Sequence, residues 1–279
     1  MAKKEDILYT GASSTSLVGS RVVELLGGIA PSHEELDILK PETFTKFNPK
    51  VLVHFAALTN VNGCETDPEN AHLINVVGTE NLVQYFGSRG VKIIYISTDY
   101  VFDGKEGPYD EDATPNPINI YGKTKLEGEK IVTSTPGANT IIRIAFPYRL
   151  SGTKSDTLRW IIGSIMDKKE VSVFDNLKAN FTFIDDIANA LTQVIEKDFK
   201  GILHVTGNEI STVYEIANMV VDTLGKEYSQ YVKPKHFEVS DGVADRPLNG
   251  GLISKYKETL GIKMTPLIDN IRKIINSRK

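Results

Sequence analysis

The sequence predicts an α/β fold in which a doubly wound parallel sheet is followed by a smaller C-terminal α/β domain. Three observations lead to this prediction. Short apolar runs alternate with helix-like segments through the first half of the chain, the run over 91–97 is apolar nearly throughout, as a strand covered on both faces should be, and the alternation changes near residue 147. With 279 residues, the chain is long enough for one large or two modest domains.

The first half contains four strand-like runs with helical segments between them. The runs are DILYTG (6–11), VLVHFAA (51–57), VKIIYIS (91–97) and NTIIRIAF (139–146). Helices are predicted over about 17–26, 67–88 and 119–132, and in the longest of them apolar residues recur at helical spacing after Pro68. Strands that alternate with helices indicate βαβ units, and therefore a Rossmann-like sheet of parallel strands.

The second half of the chain has a different order of predicted elements, in which short strands separate longer helices. These helices are predicted near 155–167, 185–197, 211–224 and 266–277. Because the change begins near residue 147, we place a domain boundary there.

Composition limits the classes of partner. The formal net charge of −4 and the sequence pI of about 5.8 argue against nucleic acid, because phosphate backbones bind basic surfaces. Cys64 is the single cysteine, so no intrachain disulfide is expected, and no histidine or cysteine spacing suggests a metal site. No apolar run approaches the ~20 residues of a membrane span, and the N-terminal one is too short for a signal peptide. We therefore expect a cytoplasmic protein.

The strongest chemical signal is YGKTK, residues 121–125. Residues four apart share one face of a helix, so Tyr121 and Lys125 point into the same space. A lysine ammonium beside a phenol favours the phenolate, and we expect it to lower the tyrosine pKa toward the range useful for acid–base catalysis. By itself, the pattern also fits a solvated helix face.

A polar strand end lies upstream of this helix, in YISTDYVFDG (95–104). Ligands in open α/β sheets bind beyond the carboxyl ends of strands, where Ser97, Thr98 and Asp99 would lie. A hydroxyl there can hydrogen-bond a carbonyl oxygen that a phenol protonates. The alternative is a local cap or turn, because these residue types bond readily to nearby backbone. The helix with Tyr121 and Lys125 favours the catalytic interpretation.

Together, these segments resemble the dTDP-4-dehydrorhamnose reductase family of the extended short-chain dehydrogenase/reductases. STDYVFDG and PINIYGKTKLEGEK are the most specific parts of the resemblance. HFAALTNVNGCETDPENAHLINVVGTENL (54–82) and ADRPLNGGLISKYKETLGI (244–262) extend it over nearly the whole chain. The resemblance implies an NAD(P)-binding Rossmann domain formed by 1–146 with about 182–206, and a substrate domain formed by 147–181 and 207–279.

The resemblance also implies an activity. Hydride would pass from NADPH or NADH to the 4-keto group of a nucleotide-linked 6-deoxysugar, giving a product such as dTDP-L-rhamnose. Tyr121 would donate the proton, Lys125 would hold the nicotinamide ribose, and Thr98 would hydrogen-bond the carbonyl oxygen. Asp99 would lie close to the substrate. Further cofactor contacts are implied for Asp37, Ile38, Ala56, Ala57, Leu58 and Thr59.

The glycine turn departs from the family pattern. The family has three glycines with two residues between each, whereas GASSTSLVGS keeps only Gly11 and Gly19. A Cβ at a close-approach position hinders a pyrophosphate, although hydroxyls and the free N–H groups of the following helix can still attract it. The alternative is a hydroxyl-rich loop that only caps the helix. The predicted phosphate contacts are Gly11, Ser13, Ser16, Leu17 and Val18.

The ribose and substrate positions depart as well. Ser32 and His33 stand where the family has an acid and an often basic residue, so Ser32 is an expected cofactor contact at the ribose. Without a carboxylate there, a 2′-phosphate is not repelled, which slightly favours NADPH. Phe146 replaces a frequent tryptophan, and its ring can still pack on a base or sugar of the substrate without the indole N–H. The sugar, the nucleotide and the oligomeric state, with a homodimer as one candidate, stay open.

Two other functions stay open from the sequence. Some superfamily members, such as the regulatory subunit of methionine adenosyltransferase, keep the fold and bind dinucleotide but act through a partner enzyme. The unusual glycine turn favours that alternative, and the set of Thr98, Tyr121 and Lys125 opposes it. An epimerase or dehydratase of nucleotide sugars uses the same triad, but dehydratases often carry Asp-Glu after the threonine, where this chain has Asp99 and Tyr100.

Overall fold

The computed structural model describes residues 3–137, 139–238 and 244–278. The strands are β1 (Ile7–Thr10), β2 (Val51–His54), β3 (Lys92–Thr98), β4 (Thr140–Ile144), β5 (Pro147–Tyr148), β6 (Val171–Phe174), β7 (Lys178–Asn180), β8 (Thr182–Phe183), β9 (Gly201–His204), β10 (Ile210–Thr212) and β11 (Val232–Lys235). The helices are α1 (Gly19–Leu26), α2 (Val61–Thr66), α3 (Pro68–His72), α4 (Gly78–Leu82), α5 (Ile120–Ser134), α6 (Thr157–Met166), α7 (Ile184–Glu196), α8 (Val213–Leu224), α9 (Lys257–Leu260) and α10 (Leu267–Arg278).

Helices α3 and α4 belong to one helical run that occupies the predicted helix over 67–88. Asp67 begins the run, because its carboxylate accepts a hydrogen bond from the Asn70 N–H at 3.1 Å. π-helical turns at Leu73–Val77 and Val83–Gly87 follow α3 and α4, and the junction residues keep right-handed helical dihedral angles. The apolar spacing predicted the helix but not these π turns, which often accompany functional sites.

Five strands form one parallel sheet in the order β1-β2-β3-β4-β9. On the free side of β1, the Tyr9 N–H donates to the Ile29 carbonyl and the Ile29 N–H donates to the Ile7 carbonyl, both at 2.8 Å. The chain thus leaves β1 on one side and returns on the other with β2. This is a topological switch point, the place where open α/β sheets bind ligands. The predicted α/β class with a parallel, Rossmann-like sheet is confirmed.

Helices cover both faces of this sheet. Tyr9, Val53 and Ile94 pack with α1 and α7 on one face, whereas neighbouring strand residues such as Leu52 and Ile93 pack on the other face, under the helical run and α5. Successive strand residues point to opposite faces, so strands covered on both faces are mostly apolar. The buried polar residues on these strands need partners, as Arg143 on β4 finds in Glu129.

A second core lies under α6, α8 and α10. Ile161, Ile216 and Ile271 belong to it, together with residues of three small strand pairs, which are β5–β8 and β6–β11, both parallel, and β7–β10, antiparallel. By contrast, α7 and β9 pack into the core under the large sheet, and so do Leu260 and Ile262. The domain boundaries stay a prediction, for which this packing supplies the physical basis.

Candidate active site

A cavity of about 740 Å³ opens at the carboxyl ends of β1 to β4, beside the switch point. Most of the predicted site residues line it. These are Gly11, Ser13, Ser16, Leu17, Val18, Asp37, Ile38, Ala56, Ala57, Thr59, Thr98, Asp99, Tyr121, Lys125 and Phe146. Ser32 and Leu58 are not among its lining residues, whereas His33 and Lys154 are.

The start of α5 places the tyrosine in this cavity. The Asn119 carboxamide oxygen accepts from the Gly122 N–H at 2.8 Å and so fixes the first turn of the helix. A Cβ on Gly122 would collide with the Tyr100 carbonyl oxygen. The glycine therefore lets the helix lie directly against the Asp99–Val101 turn, which brings Tyr121 to the end of β3.

Lys125 lies one helical turn further on and is buried. Its ammonium donates to the Ile96 carbonyl at 2.8 Å and lies 3.9 Å from the centre of the Tyr95 ring. Burial lowers the pKa of Lys125 to about 7, against the opposing charge of Glu129. The lysine is thus held by the strand as well as by its own helix, and its charge state is sensitive to pH near neutrality.

The expected effect of this lysine on the tyrosine is wrong for this structure. Burial raises the pKa of Tyr121 well above the ordinary phenol value, and the Thr98 hydroxyl opposes that rise only in part. The ammonium of Lys125 is engaged by the Ile96 carbonyl rather than by the phenol. Removing water from the phenol outweighs the neighbouring charge, so Tyr121 stays protonated, which suits a proton donor.

Thr98 and Asp99 form the polar end of β3. The Thr98 hydroxyl accepts from the Tyr100 N–H at 3.2 Å and donates to the Asp99 carboxylate at 3.0 Å. Burial raises the pKa of Asp99 to about 7. The cap interpretation and the catalytic interpretation therefore describe the same hydroxyl, because one group both holds the turn and lines the cavity.

Asn75, in the first π turn, ties the cavity wall to α5. Its carboxamide oxygen accepts from the Leu58 N–H at 2.7 Å, and its nitrogen donates to the Leu58 carbonyl at 3.2 Å and to the Thr124 hydroxyl at 3.0 Å. The predicted contact Leu58 is thus a fixed backbone position beside the cavity. Sequence reasoning missed Asn75, although a polar residue on the apolar face of a helix was a usable signal.

A buried ion pair lies beside the part of the cavity formed by Thr98 and Lys125. The Glu129 carboxylate receives two hydrogen bonds from the Arg143 guanidinium, at 2.9 and 2.7 Å, and a third from the Ser97 hydroxyl at 2.5 Å. Both charged side chains are almost fully buried. Glu129 stands one turn after Lys125, so the pair connects α5 to β3 and β4.

The loop over 11–18 follows β1 with its own hydrogen bonds. Gly11 has a φ of 64°, and a Cβ there would collide with the backbone of Ala56. The Ser16 hydroxyl accepts from the Gly19 N–H at 3.0 Å, at the start of α1. Ser16 therefore caps the helix, as the alternative interpretation expected, and also lines the cavity. Its hydroxyl hydrogen stays available as a donor.

Several of residues 31–39 form another part of the cavity wall. The Ser32 N–H donates to the Glu35 carboxylate at 2.8 Å, while the Ser32 hydroxyl accepts from the Glu35 N–H at 3.3 Å. This reciprocal pair turns Ser32 away from the cavity. Exposed His33 lines it instead, 3.8 Å from the Asp37 carboxylate.

Phe146 also lines the cavity, in an unusual backbone conformation. Its φ is 36°, a region that residues with a side chain rarely adopt. Its ring stacks on Phe181 with 5.0 Å between ring centres, and its carbonyl accepts from the Thr182 N–H at 3.1 Å. The turn after β4 thus places Phe146 at the cavity in a strained backbone conformation. Such strain often marks a functional position.

The parallel sheet, the cavity at its switch point and the Tyr-x-x-x-Lys helix facing a Ser-Thr strand end define an extended short-chain dehydrogenase/reductase. Residues 5–279 match the family model described as the RmlD substrate binding domain, and the chain belongs to this family.

Curated relatives carry two different names. Methionine adenosyltransferase 2 subunit beta of Xenopus tropicalis is 35% identical over 240 residues, which cover 81% of this chain and 70% of the relative. dTDP-4-dehydrorhamnose reductase of Mycolicibacterium smegmatis is 30% identical over 246 residues, which cover 86% of this chain and 74% of the relative. The family is therefore shared between proteins with different names.

Solved structures of related proteins superpose on nearly the whole chain. dTDP-4-dehydrorhamnose reductase of Bacillus anthracis in complex with NADP superposes with a TM-score of 0.86 at 25% identity, covering 99% of this chain and all of the other. The Clostridium acetobutylicum reductase gives 0.86 at 29% identity, with 98% and 99% coverage. Within the described ranges, no helix is long and apolar enough to cross a membrane, and no cluster of three potential metal ligands occurs.

Proposed function

We propose that the protein is an NADPH-dependent reductase of the 4-keto group of a nucleotide-linked 6-deoxysugar, as in the formation of dTDP-L-rhamnose. The observation that carries the proposal is the meeting of Thr98, Tyr121 and Lys125 at the buried end of one cavity. The cavity also fits a dinucleotide, because its volume of about 740 Å³ lies within the range of small-molecule sites and its wall includes the loop after β1. A bound nicotinamide would supply the hydride.

The protein's own residues would handle the proton. The Tyr121 phenol donates it to the substrate's carbonyl oxygen, so that hydride and proton together convert the ketone into a secondary alcohol. The Lys125 ammonium stabilises the phenolate that remains and binds the ribose hydroxyls. A protonated Asp99 can donate to Thr98, which releases the threonine hydroxyl to bond the carbonyl oxygen. Burial, which raises the pKa of Asp99 to about 7, makes that state accessible at neutral pH.

The preference for NADPH over NADH is part of the proposal. Ser32 stands where the family has an acid, and His33, which lines the cavity, stands where the family often has a basic residue, so neither of these two positions repels a 2′-phosphate. The related Bacillus anthracis structure contains NADP. The nucleotide-sugar substrate, the cytoplasmic location, a homodimer and independence from a metal stay predictions.

Turnover with a keto-sugar tests this function. Purified protein should oxidise NADPH when a dTDP-4-keto-6-deoxysugar is added, and Tyr121→Phe should lower kcat by about 10²–10⁴-fold while NADPH binding is retained. Tyr85→Phe is the matched control, because Tyr85 lies outside the cavity lining. Unchanged turnover of the Tyr121 variant, or no oxidation by the wild type, would overturn the proposal.

A second candidate is a dinucleotide-binding subunit that acts through a partner enzyme. The observation that favours it is the 35% identity to methionine adenosyltransferase 2 subunit beta, against 30% to the reductase. An affinity purification from the native source distinguishes the two. Recovery of one stoichiometric enzyme partner, together with no reduction of any keto-sugar, would establish the subunit role in place of the reductase.

A further inference from the structure

Residues 149–156, here called the strap, leave β5 and lie across the loop that follows β1. The Arg149 guanidinium donates to the Leu17 carbonyl at 2.8 Å and also to the Ser20 hydroxyl. The strap and the loop are 132 residues apart in sequence at the first of these contacts. A segment with two cations, which follows a strand of the second core, therefore lies at the edge of the cavity.

Lys154 stands where the strap meets the cavity. Its ammonium donates to the Thr15 carbonyl at 2.7 Å, and the side chain lines the cavity together with Ser13, Thr15 and Ser16. An ammonium has three donors, so the Thr15 contact leaves capacity for an anion beside the loop.

The strap is braced rather than loose. The Arg159 guanidinium, on α6, donates to the Gly152 carbonyl at 2.6 Å and to the Lys154 carbonyl. The Asp156 carboxylate accepts from the Arg149 N–H at 3.2 Å and from Arg159 at 2.6 Å. These contacts hold the backbone on both sides of Lys154, so the fold fixes the point from which its side chain extends.

Lys154 also differs from the two other cations near the loop, Arg149 and Arg21. Arg149 is not among the residues that line the cavity, and its guanidinium is engaged by the Leu17 carbonyl and the Ser20 hydroxyl. Arg21 is committed to the Asp185 carboxylate, with two contacts of 2.8 Å, and to Glu24 at 3.1 Å. Within the described part of the chain, Lys154 forms no ion pair and contacts only a neutral carbonyl oxygen. Residues 11–20 contribute hydroxyls but no charge. Of these three cations, Lys154 is the one that lines the cavity and can meet an anion over the loop.

We propose that Lys154 binds the diphosphate of the dinucleotide beside the loop. The inference rests on the proposed function and deepens it. A lysine on the strap supplies the attraction that the family's glycine turn obtains by close backbone approach, and that the serine-rich loop hinders with its Cβ atoms. The second core therefore takes part in holding the cofactor and not only the substrate.

Titration of NADPH and NADH into the purified chain tests the assignment by their dissociation constants. Lys154→Gln should raise both constants by about five- to tenfold, because both dinucleotides carry the diphosphate. Lys154→Arg should restore most of the affinity. The affinity of Lys154→Gln should also fall less with added salt than that of the wild type, because one screened ionic contact is gone. Lys200→Gln is the matched control, since Lys200 is exposed and stands before β9, at the opposite edge of the sheet.

The outcomes separate this inference from the proposed function. Equal weakening of both dinucleotides, with rescue by arginine, supports it. Affinities unchanged by Lys154→Gln overturn it and leave the reductase proposal standing. Weakening of NADPH alone places the lysine on the 2′-phosphate and overturns the diphosphate assignment. Wild-type protein that binds neither dinucleotide overturns both proposals.

Discussion

The two ends of the cavity are built in different ways. At the reaction end, Thr98, Asp99 and Lys125 are 6%, 3% and 3% exposed, and they stand on β3 and α5 or at their ends. At the loop end, the walls are irregular segments over 11–18 and 31–39, and several of their residues are exposed. One cavity thus joins a buried end to a more exposed end.

The difference shows which physical effect governs each end. Desolvation dominates the reaction end, where it raises the pKa of Tyr121 and of Asp99 and lowers the pKa of Lys125. Hydrogen bonds from side chains to backbone dominate the loop end, as Ser16 on Gly19 and Lys154 on Thr15 illustrate. Substitutions should therefore act through burial at one end and through local contacts at the other.

The largest effect on stability is expected at the buried ion pair. Glu129→Gln leaves the Arg143 guanidinium buried without its carboxylate, which should lower the free energy of unfolding by about 3–5 kcal/mol. Chemical denaturation at neutral pH measures it. The control is Glu127→Gln on the same helix, with a side chain 52% exposed, which should change stability by less than about 0.5 kcal/mol. Equal effects of the two variants would remove the distinction between the buried end and the surface.

The next largest effect is a dependence of stability on pH that arises from Asp99. Because its pKa in the folded state, about 7, lies above the ordinary value of 3.8, the folded protein holds the proton more tightly than the unfolded chain does. This stabilisation is complete below about pH 4 and is lost as pH rises to about 7. Asparagine does not titrate. The free energy of unfolding of Asp99→Asn should therefore rise, relative to that of the wild type, by on the order of 3 kcal/mol as the pH increases from about 4 to about 7.

Denaturation of both proteins across this pH range measures that difference, and other titrating groups cancel in it. Lys125 acts in a separate window, because its lowered pKa makes the protein more stable as pH rises from about 7 toward 10.5. A difference between Asp99→Asn and wild type that did not vary with pH would show that Asp99 is not desolvated.

A smaller effect is expected at the loop end. Ser16→Ala removes the acceptor for the Gly19 N–H and should cost about 1 kcal/mol, whereas Ser16→Gly should cost only a few tenths. Thermal unfolding measures both, with Ser14→Ala at an exposed neighbouring serine as control. If Ser16→Ala and Ser14→Ala changed the stability equally, the hydrogen bond from Gly19 to Ser16 would contribute nothing to it.

The smallest effect is expected at His33. His33→Gln keeps a polar side chain but removes the imidazole from the cavity wall, so the preference for NADPH over NADH should fall by about threefold. Competition between the two dinucleotides measures that ratio. A larger loss would mean that this exposed end recognises the cofactor as strongly as the buried end does.

Much of this arrangement could be predicted from the sequence. The helix boundaries that the apolar spacing predicted agree with α1 and α5 to α8 within two residues, because a buried helix face repeats locally. Tyr121 and Lys125 share a face for the same reason, and most predicted site residues line one cavity. Ser32 was predicted as a cofactor contact and does not line it, because the reciprocal bonds with Glu35 turn it away.

The sequence by itself determined the fold class and the residues that meet at the reaction end, since both follow from periodicity and from the rule that parallel strands end at one edge. Only the tertiary structure decided the electrostatics. Whether Lys125 lowers the pKa of Tyr121 depends on water excluded by the surrounding elements, and burial reverses the expected direction. The contact of Lys154 with Thr15 joins residues 139 positions apart, and no local pattern encodes such a distance.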